Sequence, residues 1–230
     1  MTAVPVKPLR QMLDLLSSVT DELVMAKRDD GWTLQAVDKS HVTMIRIRTS
    51  LLPVTDEPWA VRIEDIRKGL KGDEVELTLD SALIIAAGNT RTRMPLLTPE
   101  IPNQRFPSLS GDASASILAD DLRTILKDAD AKKVNHVLLS ISEDGVVLDA
   151  TDGQGYGQTL RIPPEECMDL DVLSKAESRY GLDMLGRFIK TLPTGAEIRI
   201  SESGDYPLKV SLSLDGFDAE WVCAPVIVDE

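Results

Sequence analysis

Two cysteines and two histidines in 230 residues leave little from which to build a metal centre or a histidine-based catalytic site. Cys167 and Cys223 stand in no metal-ligand or redox spacing and read as ordinary thiols of a reducing, intracellular compartment. No apolar run is long enough to span a bilayer, and Met1-Thr2-Ala3-Val4-Pro5 carries no signal-peptide pattern. Positive charge is also short: 25 Lys and Arg stand against 38 Asp and Glu, giving −13 and a pI near 4.6. Summed over the chain, that deficit argues against nucleic acid, whose phosphates are met by basic surfaces. The positions of the charges matter more than their sum. What remains is a 43% hydrophobic chain, long enough for one large domain or two small ones.

The stretch 94–109 carries prolines at 95, 99, 102 and 107. Proline donates no N–H and biases its predecessor toward extended backbone, so this segment is neither a helix nor a central strand. Its apolar residues Leu96, Leu97, Ile101, Phe106 and Leu109 are expected to lie down on a surface. The expected organisation is therefore a first domain over 1–94, a connector over 95–110 and a second domain over 111–230.

Similar text runs on either side of the connector. Leu9, Met12, Leu13, Leu15, Leu16 and Val19 fall at helical spacing over 7–19. Strands follow at 22–27, 32–37 and 42–48, with an Asp29-Asp30-Gly31 turn, and Val42, Met44 or Ile45, and Ile47 are core candidates. A second helix at 63–70 and strands at 75–79, 83–87 and 90–94 complete the first half. In the second half, Asp121-Leu122-Arg123-Thr124 echoes Pro8-Leu9-Arg10-Gln11, and the turn at Gly145 repeats the one at Gly31, 114 residues earlier. A helix at 182–192 before a strand at 197–201 repeats 63–71 before 75–79. A whole helix-and-sheet domain is duplicated.

Four helix-like stretches, 4–19, 63–71, 118–133 and 179–190, hold twelve basic residues against eight acidic ones. They sum to +4 and everything else to −17. Lys7 and Arg10, Lys68 and Lys71, Arg123 and Lys127, and Arg187 and Lys190 are each three or four apart, so each pair shares one helical face. Any single solvated helix face often carries such residues. Four of them in an acidic chain point to a surface that holds a phosphate backbone without base contacts and repels nucleic acid elsewhere.

Other patterns yield to bland readings. Gly153-Gln154-Gly155-Tyr156-Gly157 lacks the following helix and the Lys-Ser/Thr of a nucleotide loop, so a turn between strands is expected. His41 has no Ser, Cys or carboxylate placed to complete a catalytic site and reads as a loop histidine; His136 reads as structural. Asp169 and Asp171 lack further ligands for a metal. No catalytic constellation, metal site or cofactor is expected.

Four segments resemble one family in its own order. Leu34-Gln35-Ala36-Val37-Asp38-Lys39-Ser40-His41-Val42 is similar to the signature before the third strand of archaeal and eukaryotic sliding clamps, the proliferating cell nuclear antigen (PCNA) family. Ser178-Arg179-Tyr180-Gly181-Leu182-Asp183-Met184-Leu185 resembles its fourth helix, Asp205-Tyr206-Pro207-Leu208-Lys209-Val210 the following strand, and Cys223-Ala224-Pro225-Val226-Ile227 its C-terminal tail. The resemblance covers essentially the whole chain. It implies an α+β fold of two similar domains, each with two helices packed on antiparallel sheets, assembling into a pseudo-sixfold trimeric ring around duplex DNA. Edge strands near Arg91 and near 160–162 or Leu170 would pair head-to-tail.

Carried over by position, Arg10, Lys68, Lys71, Lys127 and Lys190 are the DNA-facing residues, with Lys7, Arg67, Arg123 and Arg187 as neighbours. The partner-peptide pocket would be Val37, His41, Val42, Met44, Ile101, Pro102, Pro207, Ala224, Pro225 and Ile227. The implied role is a non-enzymatic processivity factor, without cofactor or membrane partner. It would bind DNA polymerase, a clamp loader, flap endonuclease and ligase through short peptide motifs, in the cytoplasm, or in the nucleus if the source is eukaryotic. The chain departs from the family in a short first strand, a short proline-rich connector, and Val222-Cys223 before Ala-Pro. A diverged alternative stays open: a heterotrimer subunit, a checkpoint-type clamp, a mobile-element copy or an interaction scaffold off DNA.

Overall fold

The structure, a computed structural model, describes residues 2–29 and 31–227. The chain divides into two compact units. The first runs to Phe106 and takes in Ser213–Ala219; the second runs from Pro107 to Leu212 and resumes at Glu220.

In the first unit, β1 (Thr2–Pro5) leads into α1 (Val6–Ser17), then β2 (Glu22–Arg28), β3 (Gly31–Val37), β4 (Thr43–Thr49) and β5 (Trp59–Arg62). Helix α2 (Ile63–Gly69) follows, then β6 (Glu74–Leu79), β7 (Ala82–Ala87) and β8 (Thr90–Pro95). One sheet has the order β1-β6-β7-β8, and the other strands lie as β5-β2-β3-β4, with every described pairing antiparallel.

The second unit repeats this plan. It holds β9 (Ala113–Leu118), α3 (Ala119–Ala131), β10 (His136–Ser142), β11 (Gly145–Thr151), β12 (Gly157–Ile162), β13 (Asp169–Val172) and β14 (Ala176–Gly181). Then come α4 (Leu182–Thr191), β15 (Glu197–Glu202), β16 (Leu208–Leu214) and β17 (Phe217–Cys223), the last two apart from their shared end Ser213–Ala219, which is grouped with the first unit. The order β14-β10-β11-β12 copies β5-β2-β3-β4, and β9-β15-β16-β17 copies β1-β6-β7-β8. Strand β13, on the free side of β9, is the one addition.

Backbone hydrogen bonds repeat as well. No helix has a side-chain N-cap. Instead the first N–H of each finds a carbonyl from a neighbouring loop of its own unit: Val6 to Asp73 at 2.8 Å and Ala119 to Ala196 at 2.9 Å, Ile63 to Asp21 and Leu182 to Asn135 each at 3.0 Å. Helical periodicity then buries one stripe of each helix, such as Leu9, Met12, Leu13 and Leu16 on α1 and Leu185, Phe188 and Ile189 on α4.

Some expectations need correction. The stretch 179–181 is strand, so Arg179 lies on β14 and the fourth helix begins at Leu182. Lys71 follows α2, and Lys132 and Lys133 follow α3. Within the observed helix bounds eight basic residues face eight acidic ones, so the helices are balanced rather than positive. Among the core candidates Ile45 and Ile47 are buried, whereas Val42 and Met44 are half-buried. Short strands β5, β9 and β14 were missing from the reading of the sequence, whereas the edge strand expected near Leu170 is β13. Asp30 of the turn at 29–31 lies outside the described residues.

Candidate nucleic-acid and partner-docking surfaces

On α1 the residues opposite the buried stripe are Lys7, Arg10 and Asp14; on α2 they are Glu64, Asp65, Arg67 and Lys68. Not all the cations are free. Arg10 Nη2 donates to Leu70 O, the carbonyl just past the end of α2, at 2.5 Å. Arg67 Nη2 reaches back to α1, to Leu13 O at 3.2 Å, Asp14 Oδ1 at 2.5 Å and Ser17 Oγ at 2.9 Å. Lys68 Nζ lies 2.9 Å from Glu64 and 3.5 Å from Asp65, and these carboxylates hold its pKa up. The pair of arginines therefore ties α1 to α2, with each guanidinium against the negative end of the other helix.

In the second unit Arg123 does the work of Arg10. Its Nη2 donates to Leu192 O, just past α4, at 2.9 Å, and its Nη1 pairs with Asp120. Leu126, Lys127, Asp130, Asp183, Arg187 and Lys190 surround a groove of about 560 Å³ between α3 and α4. Among the described residues Lys7, Lys71, Lys127, Arg187 and Lys190 are exposed and without an ion pair. Five sequence-expected cations are thus available to a ligand, and Arg10, Arg67 and Arg123 are engaged in holding helix to helix. The acids Asp121, Asp128 and Asp130 are exposed on α3, so its outer face is mixed.

The docking candidates fall on both units. In the first, Val37 and Met44 are registered cross-strand partners on the face of β3 and β4 away from the buried Ala36 and Ile45. The loop between them is organised by Asp38. Its Oδ1 accepts from Val42 N at 2.8 Å, Thr43 N at 2.5 Å and Thr43 Oγ1 at 3.2 Å; its Oδ2 accepts from Ser40 N at 2.9 Å and from Ser40 Oγ. Burial raises the Asp38 pKa, and the hydrogen bonds from Ser40 and Thr43 outweigh it, so the carboxyl titrates below its ordinary value. The loop's stability is therefore present above the ordinary carboxylate range and lost as pH falls through that lowered pKa. The turn holds His41 at φ 57° and exposed, with Nδ1 3.4 Å from Gln104 Nε2.

The connector does lie on the first unit. Leu97 N donates to Ala60 O at 2.8 Å, Arg28 Nη2 to Pro102 O at 3.1 Å and Gln35 Nε2 to Gln104 O at 2.7 Å; the Arg46 guanidinium sits 4.5 Å from the Phe106 ring centroid. Ile101 departs from the expectation and is 40% exposed. In the second unit Pro207, Ala224 and Pro225 are half-buried and Ile227 is 84% exposed. The tail is fixed there by Val226 N donating to Arg179 O at 2.7 Å.

The remaining motifs behave structurally. Asp152 Oδ1 accepts from Gln154 N and Tyr156 N, and strand β12, not a helix, follows the glycine-rich turn. Asp169 pairs with Arg199, and no cluster that could hold a metal is present among the described residues. Among the described residues no helix is long and apolar enough to cross a membrane.

No protein-family model matches the chain. Among curated proteins, the DNA polymerase sliding clamp of Methanothrix thermoacetophila is 26% identical over 96% of both chains, and that of Pyrococcus furiosus is 24% identical over 89% of this chain and 88% of its own. Along nearly its whole length the chain is similar to DNA polymerase sliding clamps. Solved clamps agree on the fold. A structure of the C-terminal region of FEN-1 bound to A. fulgidus PCNA matches with a TM-score of 0.87 and 20% identity over 99% of this chain and 98% of that one. PCNA from Thermococcus kodakaraensis matches with a TM-score of 0.85 and 20% identity over 97% and 98%. The clamp signature from Leu34 to Val42 is the strand, Asp38-braced turn and strand start described above. What the sequence did not flag is the internal use of Arg10, Arg67 and Arg123. The only available signal was that Arg10 and Arg123 occupy matching places in the two halves.

Proposed function

We propose that this chain is a DNA polymerase sliding clamp, a non-enzymatic processivity factor that encircles duplex DNA without reading its sequence and tethers replication and repair proteins. The observation that carries the reading is relatedness along nearly the whole length to proteins named for that role. The cations Lys7, Lys71, Lys127, Arg187 and Lys190 would meet phosphates, with Lys68 in exchange with its carboxylates. Such contacts are sequence-blind and salt-sensitive, which suits sliding. Arg10, Arg67 and Arg123 would act mainly by fixing each helix pair.

Val37, His41, Val42, Met44, Ile101 and Pro102 would supply a docking surface on the first unit, and Pro207, Ala224, Pro225 and Ile227 are the docking candidates of the second unit. The partners would be DNA polymerase, a clamp loader, flap endonuclease and ligase in the cytoplasm; the FEN-1 complex of a similar clamp supports the third. Three copies would close a ring by pairing edge strands head-to-tail. Strands β8, β12 and β13, which carry Arg91, Leu160 and Leu170, each end their sheet in the described structure. The exposed Asp121, Asp128 and Asp130 favour a second reading, a heterotrimer subunit or scaffold whose own DNA surface is weak.

Light scattering at low and high salt is the first test. A species near three times 25.2 kDa that is retained on circular but not linear DNA after loading supports the homotrimeric clamp. A monomer at working concentrations sinks the homotrimer and favours the second reading.

A further inference from the structure

A second feature of the first unit lies under the end of the connector, on the same strand face as Val37 and Met44. Here Lys27, Arg28, Arg46 and Arg105 line a groove of about 690 Å³, with Asp29 the one carboxylate among the described lining residues. Four cations to one anion is the reverse of the balance in a chain of net charge −13. Arg28 spends Nη2 on Pro102 O, and its Nε is buried with no hydrogen-bond partner among the described residues. Thr33, on the same face one step along the neighbouring strand, also has a buried Oγ1 without a partner. A buried guanidinium N–H left unpaired is unfavourable, so the site favours an added acceptor. Neither Lys27 nor Arg105 has an ion pair among the described residues.

We infer that this groove receives carboxylate side chains of a partner's docking segment, so that productive partners carry acidic residues beside their apolar anchors. The inference rests on the docking surface proposed above and specifies its chemistry. The connector supports an extended polypeptide as the occupant: Pro102 O and Gln104 O are held toward the strands by Arg28 and Gln35, while residues 98–110 make no backbone–backbone hydrogen bond among the described residues. An extended segment laid beside it gains main-chain partners, and its carboxylates reach the cations. Single-stranded nucleic acid fits less well. The groove is small, and one face of Phe106 is already covered by the Arg46 guanidinium, whereas base stacking needs open aromatic faces.

The test uses the full chain and two fluorescein-labelled peptides with the same two aromatic anchors, flanked by Glu-Glu-Glu in one and Gln-Gln-Gln in the other. Anisotropy titrations should give roughly tenfold tighter binding of the acidic peptide at low salt, shrinking as salt screens the charges. The double variant K27E/R105E, altered only at exposed positions, should bind the glutamine peptide as the parent does and lose the preference for the glutamate one. Equal affinity of the parent for both peptides overturns the inference and leaves the docking surface standing. Failure of both peptides to bind overturns the two together. Displacement of the acidic peptide by oligo(dT) would reassign the groove to nucleic acid and overturn it too.

Discussion

The two units run one plan with two different interiors. At the last residue of its second helix the first unit has Gly69, and the ends of Met94 and Ile85 fill the space where a Cβ would stand, at 2.8 and 3.0 Å. The second unit has Phe188 three residues before the end of the longer α4, stacked on Trp221 with centroids 4.5 Å apart and planes 9° from parallel. One unit closes by letting aliphatic chains approach backbone, the other by inserting an aromatic pair. The difference shows that strand order and helix entry carry the duplication, while core residues drift so long as volume is kept. The largest predicted effect exploits this. Phe188→Ala should destabilise by about 3–5 kcal/mol in urea unfolding, because a fully buried ring leaves a hole its stacked neighbour cannot fill. A loss below 1 kcal/mol would mean that unit 2 repacks as freely as unit 1 has.

The matching strands β6 and β15 differ in a second respect. Strand register places Leu79 on β6 where β15 has Glu202: Glu74 pairs with Pro5 just before α1, and Glu197 with Leu118 just before α3. Leu79 is half-buried; Glu202 is 1% exposed. Tyr180 Oη donates toward Glu202 Oε1 at 3.0 Å and Tyr206 O at 2.9 Å, and Glu202 Oε2 is buried without a partner. Burial, with Glu177 nearby, pushes the Glu202 pKa from 4.5 up to about 8, against hydrogen bonds from Tyr180 and Ser178 that lower it. Burial likewise raises the Tyr180 pKa. The sign follows: the folded state holds the proton more tightly, so the contribution is complete below about 4.5 and is lost as pH rises through about 8. Urea midpoints of the parent should fall between pH 6 and pH 9 relative to Glu202→Gln, which should be the more stable protein at pH 9 by on the order of a few kcal/mol. Parallel pH profiles would show that the carboxyl is solvated and ionised in the folded state.

How much of this was legible in the sequence follows from the same elements. The duplication, the four helices and the connector on the first unit were readable because apolar periodicity and proline are local signals. Helix starts were not. Each first N–H is met by a carbonyl far away in sequence, such as Ala196 for Ala119, so no Ser, Thr, Asp or Asn marks the boundary and Arg179 was assigned to the wrong element. The positive balance of the helices vanished once both ends were fixed, since it leaned on Arg179 before α4 and on Lys71, Lys132 and Lys133 past the ends of α2 and α3. A count of charges also cannot say which guanidinium is occupied. Only the fold shows Arg67 folded back on Asp14 and Arg10 on Leu70.

That engagement sets the next comparison. Arg10→Ala and Arg123→Ala should each destabilise by about 1–3 kcal/mol, since each removes a charged donor from a helix-end carbonyl. Lys7→Ala and Lys127→Ala should stay within about 0.5 kcal/mol and instead reduce the salt dependence of DNA retention. If the arginine variants keep full stability and lose DNA retention, the division between bracing and phosphate-facing cations is wrong.

The smallest effect separates the two helical glycines. Gly69 is closed in by Met94 and Ile85, but a Cβ on Gly186, in the middle of α4, would meet nothing within 4 Å. Its backbone is helical and carries no positive φ, so alanine there adds no strain and removes backbone entropy from the unfolded chain. Gly186→Ala should therefore stabilise by roughly 0.5–1 kcal/mol. Gly69→Ala should gain less than Gly186→Ala, because the ends of Met94 and Ile85 must move to admit the methyl. Gly186 also lines the groove between α3 and α4, beside Arg187 and Lys190. A methyl there occupies space on the proposed phosphate-facing side without touching a charge. Gain of stability with unchanged DNA retention would make that groove a gap between helices; gain of stability with weakened retention would make its open volume part of how the second unit meets the duplex.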